Sequence, residues 1–164
     1  MVNRISICGV PKSGTKLIHH MIHAALPDWD YTPKERPFNA KPGKIEILTK
    51  MPSDLFRFDD IKEFDDIAGI IMCRDPLMVL TSKHRTDNYW VYADAIGNAQ
   101  PAPKLWYKEI LKQMDDDSCV IFYETLIHDP KFVQDEISSQ FDIEWEDDFA
   151  EYINYSMPKG FEHL

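Results

Sequence analysis

Apolar residues along this chain follow two spacings. Ile5, Ile7 and Cys8 form a short run that stops at Gly9 and predicts a buried strand. From Thr15 the interval lengthens. Leu17, Ile18, Met21, Ile22, Ala25 and Leu26 recur on one face of a helix. Ile45–Lys50 reads as a second strand, followed by short helical stretches near Asp54–Phe58 and Ile61–Phe64. Ile67–Cys73 is continuously apolar, the pattern of a central parallel strand covered on both faces. Asp75-Pro76 supplies a capping carboxylate and a proline at the first helical position, so a helix is expected from there to about Trp90. Residues 95–103, with Gly97, Pro101 and Pro103, read as a loop. Lys104–Met114 reads as a helix with Leu105, Trp106, Ile110 and Leu111 inward. Ser118–Tyr123 reads as a fourth strand. Asp129-Pro130 opens a helix to about Phe141, and a last short helix is expected over Asp147–Tyr155. This alternation predicts an α/β fold: a single domain over residues 1–164, with a mainly parallel central sheet flanked by helices and right-handed crossovers.

The junction between the first strand and the first helix is Gly9-Val10-Pro11-Lys12-Ser13-Gly14-Thr15-Lys16. A strand, a glycine-bounded loop and a helix N-terminus together direct backbone N–H groups at an anion. Lys12 adds an ammonium in the middle of the loop. The two glycines have the separation of a nucleotide-binding P-loop. That motif then requires Lys-Ser/Thr, and here Thr15-Lys16 follows. The lysine has moved into the loop and the Mg²⁺-binding hydroxyl is missing, which suits a phosphate donor handled without a metal.

A second junction, Cys73-Arg74-Asp75-Pro76, places Arg74 at the carboxyl end of the third strand, the rim where open α/β sheets bind ligands. Ser82 lies two turns further on. Arginine and a hydroxyl from one βα unit can clamp a phosphate, because guanidinium presents paired donors. The plainer alternative is a strand–cap–helix junction with a salt-bridged arginine.

Taken in order, the two junctions resemble the sulfotransferases that use PAPS (3′-phosphoadenosine 5′-phosphosulfate). Pro11-Lys12-Ser13-Gly14-Thr15 resembles their 5′-phosphosulfate loop, with Lys16 where the family usually has a hydroxyl. Arg74-Asp75-Pro76 followed by Ser82 matches their 3′-phosphate motif. Tyr123-Glu124-Thr125-Leu126 and Asp129-Pro130 are similar to the stretch after the family's fourth strand. Pro158-Lys159-Gly160 resembles a further 3′-phosphate element. The resemblance implies a P-loop-like, sulfotransferase-type fold. It also implies PAPS as donor with PAP as product, and no required metal. The implied donor contacts are Pro11, Lys12, Ser13, Gly14, Thr15, Lys16, Arg74, Ser82, Lys159 and Gly160. The chain is shorter than typical members and resembles their core with little acceptor-binding material.

The reaction needs a base for the acceptor proton. In the small-molecule branch this is a histidine after the second strand, and Lys50 stands at that position here. The glycosaminoglycan branch uses a loop glutamate assisted by a lysine. The resemblance of Lys34-Glu35-Arg36-Pro37-Phe38 to that loop implies Glu35 as base with Lys50 beside it, and His84 in reserve. The competing reading of Glu35 is a solvated loop charge. His19 and His23 have metal-like i, i+4 spacing, but with no glutamate between them and no third ligand they read as a polar helix face. Among the aromatics, Tyr89, Trp90, Tyr92, Trp106 and Tyr107 are candidates to line an acceptor pocket.

Composition narrows these readings. The 164 residues suffice for one domain, and 44% hydrophobic with 28% charged residues is an ordinary globular balance. The net charge of −10 argues against nucleic-acid polymers and anionic membranes as partners. No membrane-length apolar run or leader pattern is evident, so a cytoplasmic location is expected. Cys8, Cys73 and Cys119 lie in strand-like runs and read as buried, reduced thiols. A small-molecule or carbohydrate acceptor is implied. The competing functions are a P-loop kinase of nucleotides or small molecules, and a non-catalytic relative that binds 3′-phosphonucleotides.

Overall fold

The computed structural model describes residues 1–41, 43–80, 103–115 and 118–152. Four strands, β1 (Arg4–Gly9), β2 (Ile47–Lys50), β3 (Ile67–Cys73) and β4 (Cys119–Phe122), form one parallel sheet in the order β2-β1-β3-β4. The helices are α1 (Thr15–Ala25), α2 (Phe58–Lys62), α3 (Pro76–Leu80), α4 (Pro103–Gln113), α5 (Tyr123–His128) and α6 (Pro130–Phe141). Single 3₁₀ turns lie at Pro52–Arg57 and Phe149–Glu151. None of the described helices is long and apolar enough to cross a membrane.

The sheet is buried on both faces, as its unbroken apolar strands require. All seven residues of β3 are buried. On one side Ile5, Ile7, Leu48, Ile70, Met72 and Ile121 pack against α1, α5 and α6. On the other, Cys8, Ile71 and Cys73 meet Leu55, Phe58, Ile61, Val79, Trp106 and Ile110. The three cysteines are free and buried, and burial raises the thiols of Cys73 and Cys119 to about 11 and about 12.

Several sequence expectations need correction. β2 begins at Ile47, and Ile45 is exposed outside it. The inward stripe of α4 is Trp106, Ile110 and Gln113; Leu105 and Leu111 face outward. Tyr123–His128 forms a helix where none was expected. Asp75 caps α3 as expected, its Oδ1 accepting from the N–H groups of Leu77 at 2.8 Å and Met78 at 3.2 Å. The expected extension of that helix toward Trp90 lies outside the described residues.

Register sets where the chemistry can be. β1 pairs with β2 through Ile7↔Lys50 and with β3 through Gly9↔Met72, and β3 pairs with β4 through Cys73↔Phe122. The carboxyl ends of all four strands therefore share one rim. Lys50, the loop after Gly9, Arg74 and Tyr123 all leave the sheet there. The segment between α1 and β2 runs along the outer edge of β2. It makes a parallel bridge at Asp30↔Ile47 and an antiparallel one at Arg36↔Lys50.

Candidate functional site

Residues 10–14 form a tight loop pinned to β3. Met72 O accepts from Val10 N–H at 3.3 Å and from the Ser13 hydroxyl at 3.1 Å, and Val10 O accepts from Ser13 N–H at 3.1 Å. Gly9 has φ +134°, and a Cβ there would lie 2.1 Å from Met72 O. Gly14 has φ +91°, and a Cβ there would lie 2.4 Å from the Tyr123 ring. Both positions therefore demand glycine, for conformation and for space. Lys12 also has positive φ, 72°, a conformation that costs a non-glycine residue about 1–2 kcal/mol. Such strain persists where surrounding bonds enforce it, and it clusters at functional sites. Partial burial lowers the Lys12 pKa below that of an ordinary lysine.

Arg74 holds the carbonyl of that residue. From the end of β3 its Nη1 donates to Lys12 O at 3.1 Å. Its guanidinium carbon lies 4.3 Å above the centre of the Tyr123 ring. The same ring abuts Gly14, so Tyr123 is packed between the two junctions. Tyr107, from α4, donates its hydroxyl to Arg74 O at 2.7 Å, and Glu124 accepts from Asp75 N–H at 3.2 Å. Arg74 Nε is buried without a hydrogen bond among the described residues. A buried guanidinium donor with no acceptor is costly, and an anion's oxygen at that spot would satisfy it.

The Ser13 N–H is committed inside the loop, to Val10 O, and its hydroxyl to Met72 O of β3. The α1 N-terminus offers further donors, with Thr15 buried and Lys16 exposed; the first amides of a helix have no intrahelical acceptor. Pro11 is buried beneath the loop.

Glu35 and Lys50 meet at the same rim. Lys50 Nζ lies 3.3 Å from Glu35 Oε1, with the Lys50 side chain 8% exposed and that of Glu35 54%. The pairing brings together two residues separated by fifteen positions. Ser82, His84, Lys159 and Gly160 lie outside the described residues, as do Tyr89, Trp90 and Tyr92. Trp106, a candidate for an acceptor pocket, is instead a core residue packed edge-on to Phe56.

The histidine stretch needs a further correction. His19 is not part of a polar face: it is 1% exposed and packs beside Tyr31. Burial, then the charge of Lys50 and the neighbouring His20 and His23, lowers its pKa to about 3. His20 Nδ1 pairs with the Tyr31 hydroxyl at 2.6 Å, and His23 stacks on the Tyr31 ring at 3.8 Å. Among the described residues, no three His, Cys, Asp or Glu side chains converge as a metal site would require.

No family model matches the chain, and no curated protein matches it. Solved structures do. The chain superposes on retinol dehydratase in a complex with retinol and PAP with a TM-score of 0.54 at 12% identity, covering 92% of this chain and 63% of that one. The fold is that of the PAP-bound enzyme. Retinol dehydratase with androsterone and inactive cofactor PAP gives 0.48 at 13% identity, over 85% of this chain and 59% of that one. The chain shares the α/β fold of the retinol-bound structure and spans less than two thirds of the length of either. At these identities the likeness establishes fold and leaves the residues to speak for the chemistry.

Sequence reasoning missed Tyr107 as the support of Arg74, and it missed the burial of His19. Tyr107 stood among the aromatics without a role. A hydroxyl that seeks a carbonyl on another element leaves no periodic signal.

Proposed function

We propose that this chain is a PAPS-dependent sulfotransferase that moves a sulfuryl group from PAPS to a hydroxyl or amine acceptor. The observation that carries the reading is the joint between the two anion-binding junctions: Arg74 reaches across from β3 to the carbonyl of Lys12 and keeps a buried Nε without an acceptor. A donor with phosphates at both 5′ and 3′ positions would fit between them, and a nucleotide with a single phosphate chain would use only the loop.

In this reading the helix N-terminus and Lys16 hold the 5′-phosphate, and Arg74 holds the 3′-phosphate. The acceptor oxygen or nitrogen forms a bond to sulfur as the bond from sulfur to the 5′-phosphate oxygen breaks. Lys12 stabilises the negative charge that grows on that leaving oxygen; one such donor is typically worth about 10²–10³ in rate. Glu35 takes the acceptor proton, and Lys50 orients Glu35 through their ion pair.

Calorimetric titration with 3′,5′-adenosine bisphosphate, ADP and Mg²⁺-ATP tests the donor half. Tight binding of the bisphosphate and much weaker binding of ADP is expected. Preference for Mg²⁺-ATP would instead establish the kinase reading. Turnover of PAPS with a panel of phenol, amine and sugar acceptors tests the rest: Lys12→Ala should abolish it, and wild-type rates in that variant would remove the mechanism.

A further inference from the structure

Glu35 sits on the long connection between α1 and β2, whose described residues form no helix or strand. A base on such a segment can work only if something fixes it. The fixing is unequal along the segment. Backbone bonds tie Asp30 N–H to Glu46 O and Arg36 N–H to Lys50 O, each at 2.9 Å. The Asp30 carboxylate accepts from both terminal nitrogens of Arg36, at 3.1 and 3.3 Å, and from Gly43 N–H at 2.6 Å. The bonds of the Asp30 carboxylate lie at the protein surface or its margin, where water competes for them.

One tie does not. Phe38 N–H donates to Asp54 Oδ2 at 2.7 Å in a buried setting. Asp54 is 3% exposed and the Phe38 ring, also 3% exposed, enters the core under the guanidinium of Arg57 at 4.6 Å. A carboxylate is expensive to bury, so one kept in the core with a backbone N–H as its charge-assisted partner marks a contact of consequence. Asp54 lies in the first turn of the 3₁₀ segment Pro52–Arg57, four residues after Lys50, and its N–H donates to Met51 O at 3.0 Å, which places it close to Lys50 along the chain. Phe38 lies three residues beyond Glu35. The chain from Glu35 to Lys50 is therefore closed through the interior.

We propose that Asp54 is a positioning residue: through the N–H of Phe38 it holds the loop that presents Glu35 to Lys50. The proposal rests on the reading of Glu35 as base. Asp54 itself touches neither donor nor acceptor. It restricts the Glu35 segment to one path across the rim, so that the carboxylate reaches the proton without first ordering a loop.

The test is native-state amide exchange on the full chain, read residue by residue by NMR, in Asp54→Ala. Exchange at Phe38 and at Arg36 should both quicken about tenfold or more, with Ile7 and Ile70 in the sheet changed less than about twofold. Affinity for 3′,5′-adenosine bisphosphate should stay within about twofold. For PAPS turnover, kcat should fall about tenfold with KM for PAPS unchanged. Quickening at Phe38 alone would show that the tether does not reach Glu35 and would overturn the inference. Equal quickening across the sheet would overturn it as well, because Asp54 would then be supporting the whole fold. If Asp54→Ala does not fold, Asp54→Asn, which weakens the acceptor and keeps its shape, should shift Phe38 and Arg36 together by a few fold. Glu35→Gln separates the two claims. Unchanged turnover in that variant sinks Glu35 as base and the catalytic part of this inference with it, whereas the exchange result alone decides the tether.

Discussion

Arg74 does three jobs with one planar group. It donates to a loop carbonyl, stacks on Tyr123 and leaves a buried Nε without an acceptor among the described residues. Lysine at this position would retain the charge and lose the fork, the stacking surface and the bond to Lys12 O. Arg74→Lys should therefore weaken 3′,5′-adenosine bisphosphate binding by about tenfold to a hundredfold, the equivalent of about 1.5–3 kcal/mol for a charge-assisted bond. The affinity for 5′-AMP, which has no 3′-phosphate, should change much less. Calorimetry with both ligands reads the difference. Equal losses would mean that Arg74 acts on the loop alone.

At the scale of an element, α1 carries a cost that its sequence conceals. His19 is buried neutral, and protonation would place a charge in the core beside Lys50, His20 and His23. Its folded pKa is about 3 against an ordinary 6.5, so between those values the unfolded chain binds the extra proton. Stability from this group is complete above pH 6.5 and declines as pH falls toward 3, with a slope that approaches about 1.4 kcal/mol per pH unit. His20 and His23 are also held below their ordinary values and add the same sign. Asp30, Asp59 and Asp66, held below the usual carboxylate value of 3.8 by their partners, lose their stabilising effect only at lower pH. Asp54, raised by burial, acts in the opposite sense. Denaturant unfolding between pH 4.5 and 6.5 should show the His19 slope, and His19→Leu should reduce it; an identical slope in the variant would refute the assignment.

How legible these elements were depends on the range of the contacts that fix them. The β1–loop–α1 junction and the start of α3 could be read because glycine, proline and capping aspartate act on their own backbone within a few residues. The Glu35–Lys50 pairing was legible only through the family resemblance. The inward side of α4 was misjudged because Leu105 and Leu111 are as apolar as Trp106 and Ile110; only the direction of the sheet selects between them. His19 and Asp54 could not be found by pattern. Polar residues enter a core when a neighbouring element happens to receive them, and local sequence carries no mark of that neighbour.

For the whole molecule, the parallel register brings four strand ends to one rim and lets junctions sixty-two positions apart touch before any ligand arrives. The two junctions are in this sense preassembled, and a ligand that bridged them would not have to order them at the moment of association. The other end of the sheet order has a different problem. β2 would expose a row of unpaired N–H and C=O groups if the segment through Asp30 and Arg36 were not lying along it. The stretch that carries Glu35 thus guards against self-association, since an open strand edge is a template for another chain. Arg36→Pro, which deletes the N–H that meets Lys50 O, should therefore produce concentration-dependent oligomers in sedimentation velocity runs while the fold persists. Any change to this segment must keep the edge covered, so solubility limits how far its sequence can drift.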